Sequence, residues 1–283
     1  MTTDDNAAPK SRPQPSNLLT RALTALIGAP LILALIGLGG WPFAGLAFAW
    51  AALSLLEFYA LGHDRNIPGN AWVGLPALIA LFVVFLSGQY ILLIALFVLA
   101  GAVVLIVETV QGKPMPVRWG RVAVLLVGLA YAGFPAVFLM VIRARPDGLI
   151  WVLFIVCITW GTDTLAYFGG RWWGKRPLAP RISPKKTVEG ALVGMGFGFA
   201  AGALLLLVVG ELTPATLALS LLGPPVAVMG DLFESALKRF FHVKDSHLAH
   251  LNIIPGHGGV LDRTDSLMWV VTLCYVYLLL VPA

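Results

Sequence analysis

Nine apolar runs, each near the length of a bilayer-crossing helix, follow one another along this chain and leave little room for anything else. They cover approximately 22–40, 41–62, 71–88, 90–110, 121–142, 149–169, 190–209, 214–230 and 266–282, the third being short. Lipid offers no water to backbone N–H and C=O groups, so such runs satisfy them internally as helices. The expected fold is therefore all-α: a polytopic membrane protein of about nine transmembrane helices with a cytoplasmic N-terminus. Only 12% of residues are charged, against about 25% in an average globular protein, which excludes an ordinary soluble domain. No internal repeat is visible.

The opening "MTTDDNAAPKSRPQPSN" is polar, contains proline and is partly acidic. A cleavable signal peptide would begin with a basic segment and end at small residues, whereas here Arg21 leads straight into the first apolar run. Residues 1–20 are expected to be a disordered cytoplasmic tail, and 21–283 a single transmembrane domain. Cys157 and Cys274 lie inside spans and imply no disulfide framework. With the N-terminus in the cytoplasm, 17 of the 19 Lys and Arg residues face that side, leaving only Arg143 and Arg145 outside. This positive-inside asymmetry sets the orientation and explains the net charge of +5 without invoking nucleic acid.

Two connections are long and chemically rich: "GGRWWGKRPLAPRISPKKTVEG" (169–190) and "KRFFHVKDSHLAHLNIIPGHGGVLDR" (238–263). Together they hold ten of the 19 basic residues, and the second holds four of the five histidines. Topogenic charge alone would explain the basic residues, but not the glycines or the paired aspartates. Asp231 closes the eighth run just after Pro224–Pro225, a pair expected to kink or break that helix. Beyond the kink, Asp231, Glu234, Ser235 and Lys238 would share one helical face. Asp262 and Asp265 sit three apart where the last helix begins; one of them could serve only to complement the helix dipole. Convergent carboxylates at a membrane surface suit a hard divalent cation such as Mg²⁺, shared with substrate phosphates. Gly256, Gly258 and Gly259 allow backbone N–H groups close to an anion, and Lys185, Lys186, Lys238, Arg239 and Arg263 could neutralise phosphate charge. The combination points to phosphate chemistry on a lipid.

"ESALKRFFHVKD" followed by "PGHGGVLDRTDS" resembles the signature of the phosphatidate cytidylyltransferase (CDP-diacylglycerol synthase) family. "TDTLAYFGGRWWGKRPLAPRISPKKTVEG" (162–190) is similar to that family's other characteristic region, so the resemblance runs from about Thr162 to the C-terminus. Before that it rests mainly on hydropathy and the local "LLEFYAL" at 55–61. The spacer "SHLAHLNII" is longer than the family's, with His247 where a small residue is usual; His247 and His250 are assigned to that enlarged loop. The resemblance implies an inner-membrane enzyme with its active site facing the cytoplasm, its catalytic half at about 160–283. It implies that CTP and phosphatidate become CDP-diacylglycerol and pyrophosphate. It also implies Mg²⁺, with a second, monovalent cation such as K⁺, and a homodimer. Carried over by position, Asp231, Asp262 and Asp265 are the metal carboxylates, with Lys238 and Arg239 beside them in catalysis. Asp163, Ser183, Lys185, Lys186, Thr187, Lys244, Asp245, His257, Gly258, Gly259 and Arg263 are the substrate-binding set.

Asp163 lies inside the sixth run, where a carboxylate is a functional candidate by default. Glu57 and Glu108 also lie in runs, without matching neighbours, and are read as structural hydrogen-bonding groups. His242, His247 and His250 fit no zinc spacing. Trp172 and Trp173 read as interfacial anchors. Two other functions stay open at this point. A CTP-dependent lipid kinase would release CDP, and a transporter would show midplane charges and repeats.

Overall fold

A computed structural model describes residues 17–243 and 259–281. Nine helices run through them: α1 (Asn17–Leu38), α2 (Gly40–Leu61), α3 (Ala71–Leu86), α4 (Ile91–Val110), α5 (Met115–Ala144), α6 (Gly148–Trp173), α7 (Val188–Val208), α8 (Pro214–Phe240) and α9 (Leu261–Leu280). Seven of these (α2 and α4–α9) are long and apolar enough to cross a membrane; α3 and the apolar stretch of α1, Leu26–Leu38, are shorter. The protein is thus an all-helical, multi-pass membrane protein but for one element. Between α6 and α7 the chain forms an antiparallel hairpin, β1 (Pro177–Ala179) and β2 (Ser183–Thr187), pairing Pro177 with Thr187 and Ala179 with Ser183. The all-α expectation missed it because strands this short carry no hydropathy signal.

The reversals follow local chemistry. Between α1 and α2, Gly39 and Gly40 take φ of 64° and 53°, a left-handed geometry that glycine adopts without a Cβ penalty. Arg143, near the end of α5, donates from Nε to the Ile36 carbonyl (2.8 Å) and from Nη2 to that of Gly37 (2.9 Å), supplying partners at the end of α1. Thr213 and Thr216 form a reciprocal capping box at the start of α8. The core gathers Leu55 and Phe58 of α2, Leu78 and Leu81 of α3, Leu125 and Leu129 of α5, and Leu261 and Val271 of α9, all essentially without solvent exposure.

Two expectations about α8, a break at the prolines and an end at Asp231, are corrected. The helix runs unbroken through Pro224 and Pro225 to Phe240, so Asp231 lies within it and does not close it. Proline's φ is itself helical and its cost is a lost hydrogen bond, which buried packing can offset. Here Pro224 is buried and faces Gly198 of α7, where an added Cβ would lie 3.1 Å from its Cγ. The helix also outlasts the apolar run, and over residues 231–240 one side stays half-buried with Glu234 fully buried. Likewise, α9 starts at Leu261, ahead of its apolar run.

Helices α6 and α7 approach each other closely along their length. Gly190, Gly194, Gly198 and Gly202 recur every fourth residue and form one stripe along α7. A Cβ at Gly194 would come within 2.7 Å of the Ala166 Cβ, and one at Gly202 within 3.0 Å of Phe154 and Ile158. Small residues at this spacing let two helix backbones approach, the usual device for helix pairing in lipid.

Candidate active site

A cavity of about 500 Å³ opens where the end of α6, the hairpin, the start of α7 and the second half of α8 meet. The sequence "WWGKRPLAPRISPKKTVEG" builds its rim. Gly174 closes α6 by donating to the Gly170 carbonyl (3.0 Å), and the chain turns into β1. Glu189 in the first turn of α7 holds the hairpin's base, accepting from the backbone N–H groups of Lys175 (3.0 Å) and Arg176 (3.1 Å) and from Arg176 Nε (2.9 Å). Thr187 ends β2 and caps α7, its hydroxyl accepting from Gly190 N–H (3.2 Å). The turn of the hairpin is tied to α8 by Arg239, whose Nε donates to the Ile182 carbonyl (3.2 Å).

Asp163, Ser183, Lys185, Lys186, Thr187 and Asp231 all line this cavity. Lys186 forms an ion pair with Asp231 across it. Behind them the carboxylates continue. Ser266 Oγ donates to Asp163 Oδ1 (3.3 Å), and Ser266 N–H donates to Asp265 Oδ1 (2.7 Å), so one serine links two acids. Asp265, 5% exposed, lies within electrostatic reach of Asp231, Glu234 and Asp163. Asp262 belongs to the adjoining arm: Lys238 Nζ stands 2.8 Å from Asp262 Oδ1 and 2.6 Å from Glu234 Oε2, joining α9 to α8.

Among the described residues, Lys186 and Lys238 form ion pairs with three of these five acids, Asp231, Glu234 and Asp262. Where such partly buried acids are ionised, a bound cation is one way to offset their charge. The donors are oxygens only, as a hard ion requires. Among the described residues no three His, Cys, Asp or Glu side chains form a group that could hold a metal ion by themselves. Mg²⁺ suits such a site, because it keeps several waters and takes one or two carboxylates together with substrate phosphates.

The remaining sequence-derived residues fall in three places. Arg239 is exposed and braces the hairpin; Arg263 is exposed on the first turn of α9; Gly259 is buried just before it. Lys244, Asp245, His257 and Gly258 lie outside the described residues, as do His247 and His250. His242 is exposed and meets Arg65 Nη2 through its Nε2 (2.9 Å). Trp172 and Trp173 are 64% and 57% exposed, as anchors would be.

Sequence reasoning passed over Arg171 and Tyr167, which line the cavity one turn apart on α6, and Ser266, which bridges the acids. Their spacing from Asp163 (four and eight residues) was a usable signal, since it sets all three along one side of a helix. The two membrane-depth glutamates have the structural partners expected of them. Glu108 pairs with Arg121 Nη1 at 2.8 Å, and Glu57 accepts backbone N–H groups from α9.

Residues 19–281 match the model of the cytidylyltransferase family. A phosphatidate cytidylyltransferase of Brucella abortus (strain 9-941) is 35% identical over 269 residues, covering 93% of this chain and 93% of its own length. The protein of that name from Bacillus subtilis (strain 168) is 33% identical over 279 residues, covering 92% and 97%. That from Staphylococcus haemolyticus is 34% identical over 266 residues, covering 92% and 98%. The similarity thus extends through the N-terminal helices as well as the cavity-forming half, and the chain belongs to the cytidylyltransferase family.

Proposed function

We infer that the chain is a membrane-embedded phosphatidate cytidylyltransferase, converting CTP and phosphatidate to CDP-diacylglycerol and pyrophosphate in phospholipid synthesis. The observation that carries this reading is a cavity in which Lys185, Lys186 and Arg171 stand with Asp163 and Asp231 at the ends of apolar helices. A phosphate oxygen of phosphatidate attacks the α-phosphorus of CTP. The new P–O bond forms as the bond to the β-phosphate oxygen breaks, and pyrophosphate leaves with that electron pair. The nucleophile is already anionic, so no strong general base is required. The barrier lies in bringing two anions together, and fixed cations lower it by neutralising charge and holding the reactants in line. Lys185, Lys186 and Arg171 take that part within the cavity, with Ser183 and Thr187 offering hydroxyls. Arg239 fixes the hairpin that carries the two lysines.

One or two of the carboxylates assigned by the resemblance, Asp231, Asp262 and Asp265, would hold Mg²⁺ together with substrate phosphates. When bound, the ion would supply charge neutralisation at nonbridging phosphate oxygens. Lys244, Asp245, His257, Gly258, Gly259 and Arg263 are assigned to substrate binding on their match to the family signature.

Phosphatidate keeps its acyl chains in the bilayer while CTP arrives from the aqueous side, so a site at helix ends suits both. We place that end in the cytoplasm. The two long basic connections share it, as the Arg239–Ile182 bond requires, whereas Arg143 lies at the opposite end beside Gly37. The homodimer implied by the sequence resemblance is retained in this reading. The test is product analysis with purified protein, CTP and phosphatidate. Equal amounts of pyrophosphate and CDP-diacylglycerol are expected. Release of CDP would make it a lipid kinase, and uptake without product a transporter.

A further inference from the structure

We propose that Glu57 and Trp50 of α2 are positioning residues that clamp the start of α9, fixing the helical register from which Asp262 and Asp265 reach the site. The inference rests on the function proposed above for those two aspartates. The first turn of α9 has no side-chain cap of its own: the capping position is Val260, preceded by two glycines. Its orphan N–H groups are met from a helix some two hundred residues earlier. Glu57 Oε1 accepts from Val260 N–H (2.9 Å) and Oε2 from Leu261 N–H (2.7 Å), with Glu57 only 2% exposed. A carboxylate bonded to consecutive N–H groups at a helix N-terminus is favoured both by charge-assisted bonding and by the helix dipole.

Seven residues earlier, two turns along the same face of α2, Trp50 adds a second hold. Its Nε1 donates to Thr264 Oγ1 (2.8 Å), which in turn donates to the Val260 carbonyl (2.9 Å). Donors and acceptors of the turn are thus both fixed by α2. Asp262 follows Leu261 directly, and Asp265 follows Thr264 directly. A slip of one residue would rotate both carboxylates by about 100° around the helix axis. Gly259, having no Cβ, offers little resistance of its own to such a slip. The N-terminal half is therefore a template for the catalytic half, and the clamp gives the costly buried acid of α2 its role.

Full-length protein carrying Glu57→Gln, and separately Trp50→Phe, tests this. Glutamine can accept only one of the two bonds, and phenylalanine removes the indole donor while keeping an aromatic ring. Amide hydrogen exchange over residues 259–266 should rise in both variants. Their kcat should fall about 10- to 100-fold, the usual effect of removing the support behind a catalytic carboxylate, with KM for CTP and phosphatidate little changed. Unchanged exchange over 259–266, unchanged kcat, or a loss confined to KM would overturn the proposal. If Glu57→Gln fails to fold, Trp50→Phe decides it. The exchange readout needs no turnover, so the clamp is judged even if the wild-type protein makes no CDP-diacylglycerol, a result that would sink the function instead.

Discussion

Lys238 shows how much one side chain can carry at this site. It is 13% exposed and its ammonium is shared by Glu234, itself 1% exposed, and Asp262. Removing one partner of a buried charge cluster leaves the others uncompensated, at a cost of about 3–5 kcal/mol. Lys238→Met keeps the apolar stem and deletes the charge. It should lower the melting temperature in detergent and abolish turnover. Adding Glu234→Gln to that background should recover part of the stability but none of the turnover, because one of the two charges the lysine held is removed while Asp262 still lacks its lysine. No recovery in the double variant would contradict the shared-charge account. Half of this cluster was legible in the sequence. Glu234 and Lys238 stand four apart, so their pairing follows once a helix is granted there. That Asp262 would join them, 24 residues on and across a glycine-containing stretch, has no local signal.

Among elements, the α6–α7 pair decides the shape of the cavity, because Asp163, Gly170 and Arg171 reach it from α6 and Ala191 from α7. Gly194→Leu would drive a side chain into Ala166 and the Thr162 carbonyl. Overpacking of this kind costs about 1–3 kcal/mol and would splay the two helices, so both melting temperature and turnover should fall. Gly196→Leu on the same helix, where an added Cβ meets nothing within 4 Å, should leave both unchanged. Equal effects in the two variants would show that the stripe is not what seats α7. The recurrence of glycine at every fourth residue is plain in the sequence itself. The ends of α5, α8 and α9 are not, since hydropathy stops at the first polar residues while the helices continue wherever one face stays buried. The double proline does not break α8, since proline's φ is itself helical and Pro224 is packed against Gly198. The hairpin escaped notice because β1 and β2 are three and five residues long, too short for periodicity to speak.

At the level of the whole molecule, the described helices deliver their polar chemistry to one end. The hairpin, the second half of α8 and the start of α9 meet there, and α2 reaches the same place through Glu57 and Trp50. Apolar length and charge placement were enough to anticipate this division between an oily body and a polar end. They could not reveal that the N-terminal half supports the site directly, because Glu57 taken alone is only an expensive residue in a span. The arrangement suits two anionic substrates, one arriving from water and one already anchored in lipid. Its central claim is that cytidylyl transfer takes place in the cavity walled by Lys186 and Asp231. The most direct check is CDP-diacylglycerol formation from CTP and phosphatidate by purified wild-type protein beside Asp231→Asn, with folding of each verified by its melting temperature. The expected result is steady turnover by the wild type and none by a variant that melts close to it; a folded Asp231→Asn protein turning over at the wild-type rate would contradict the account.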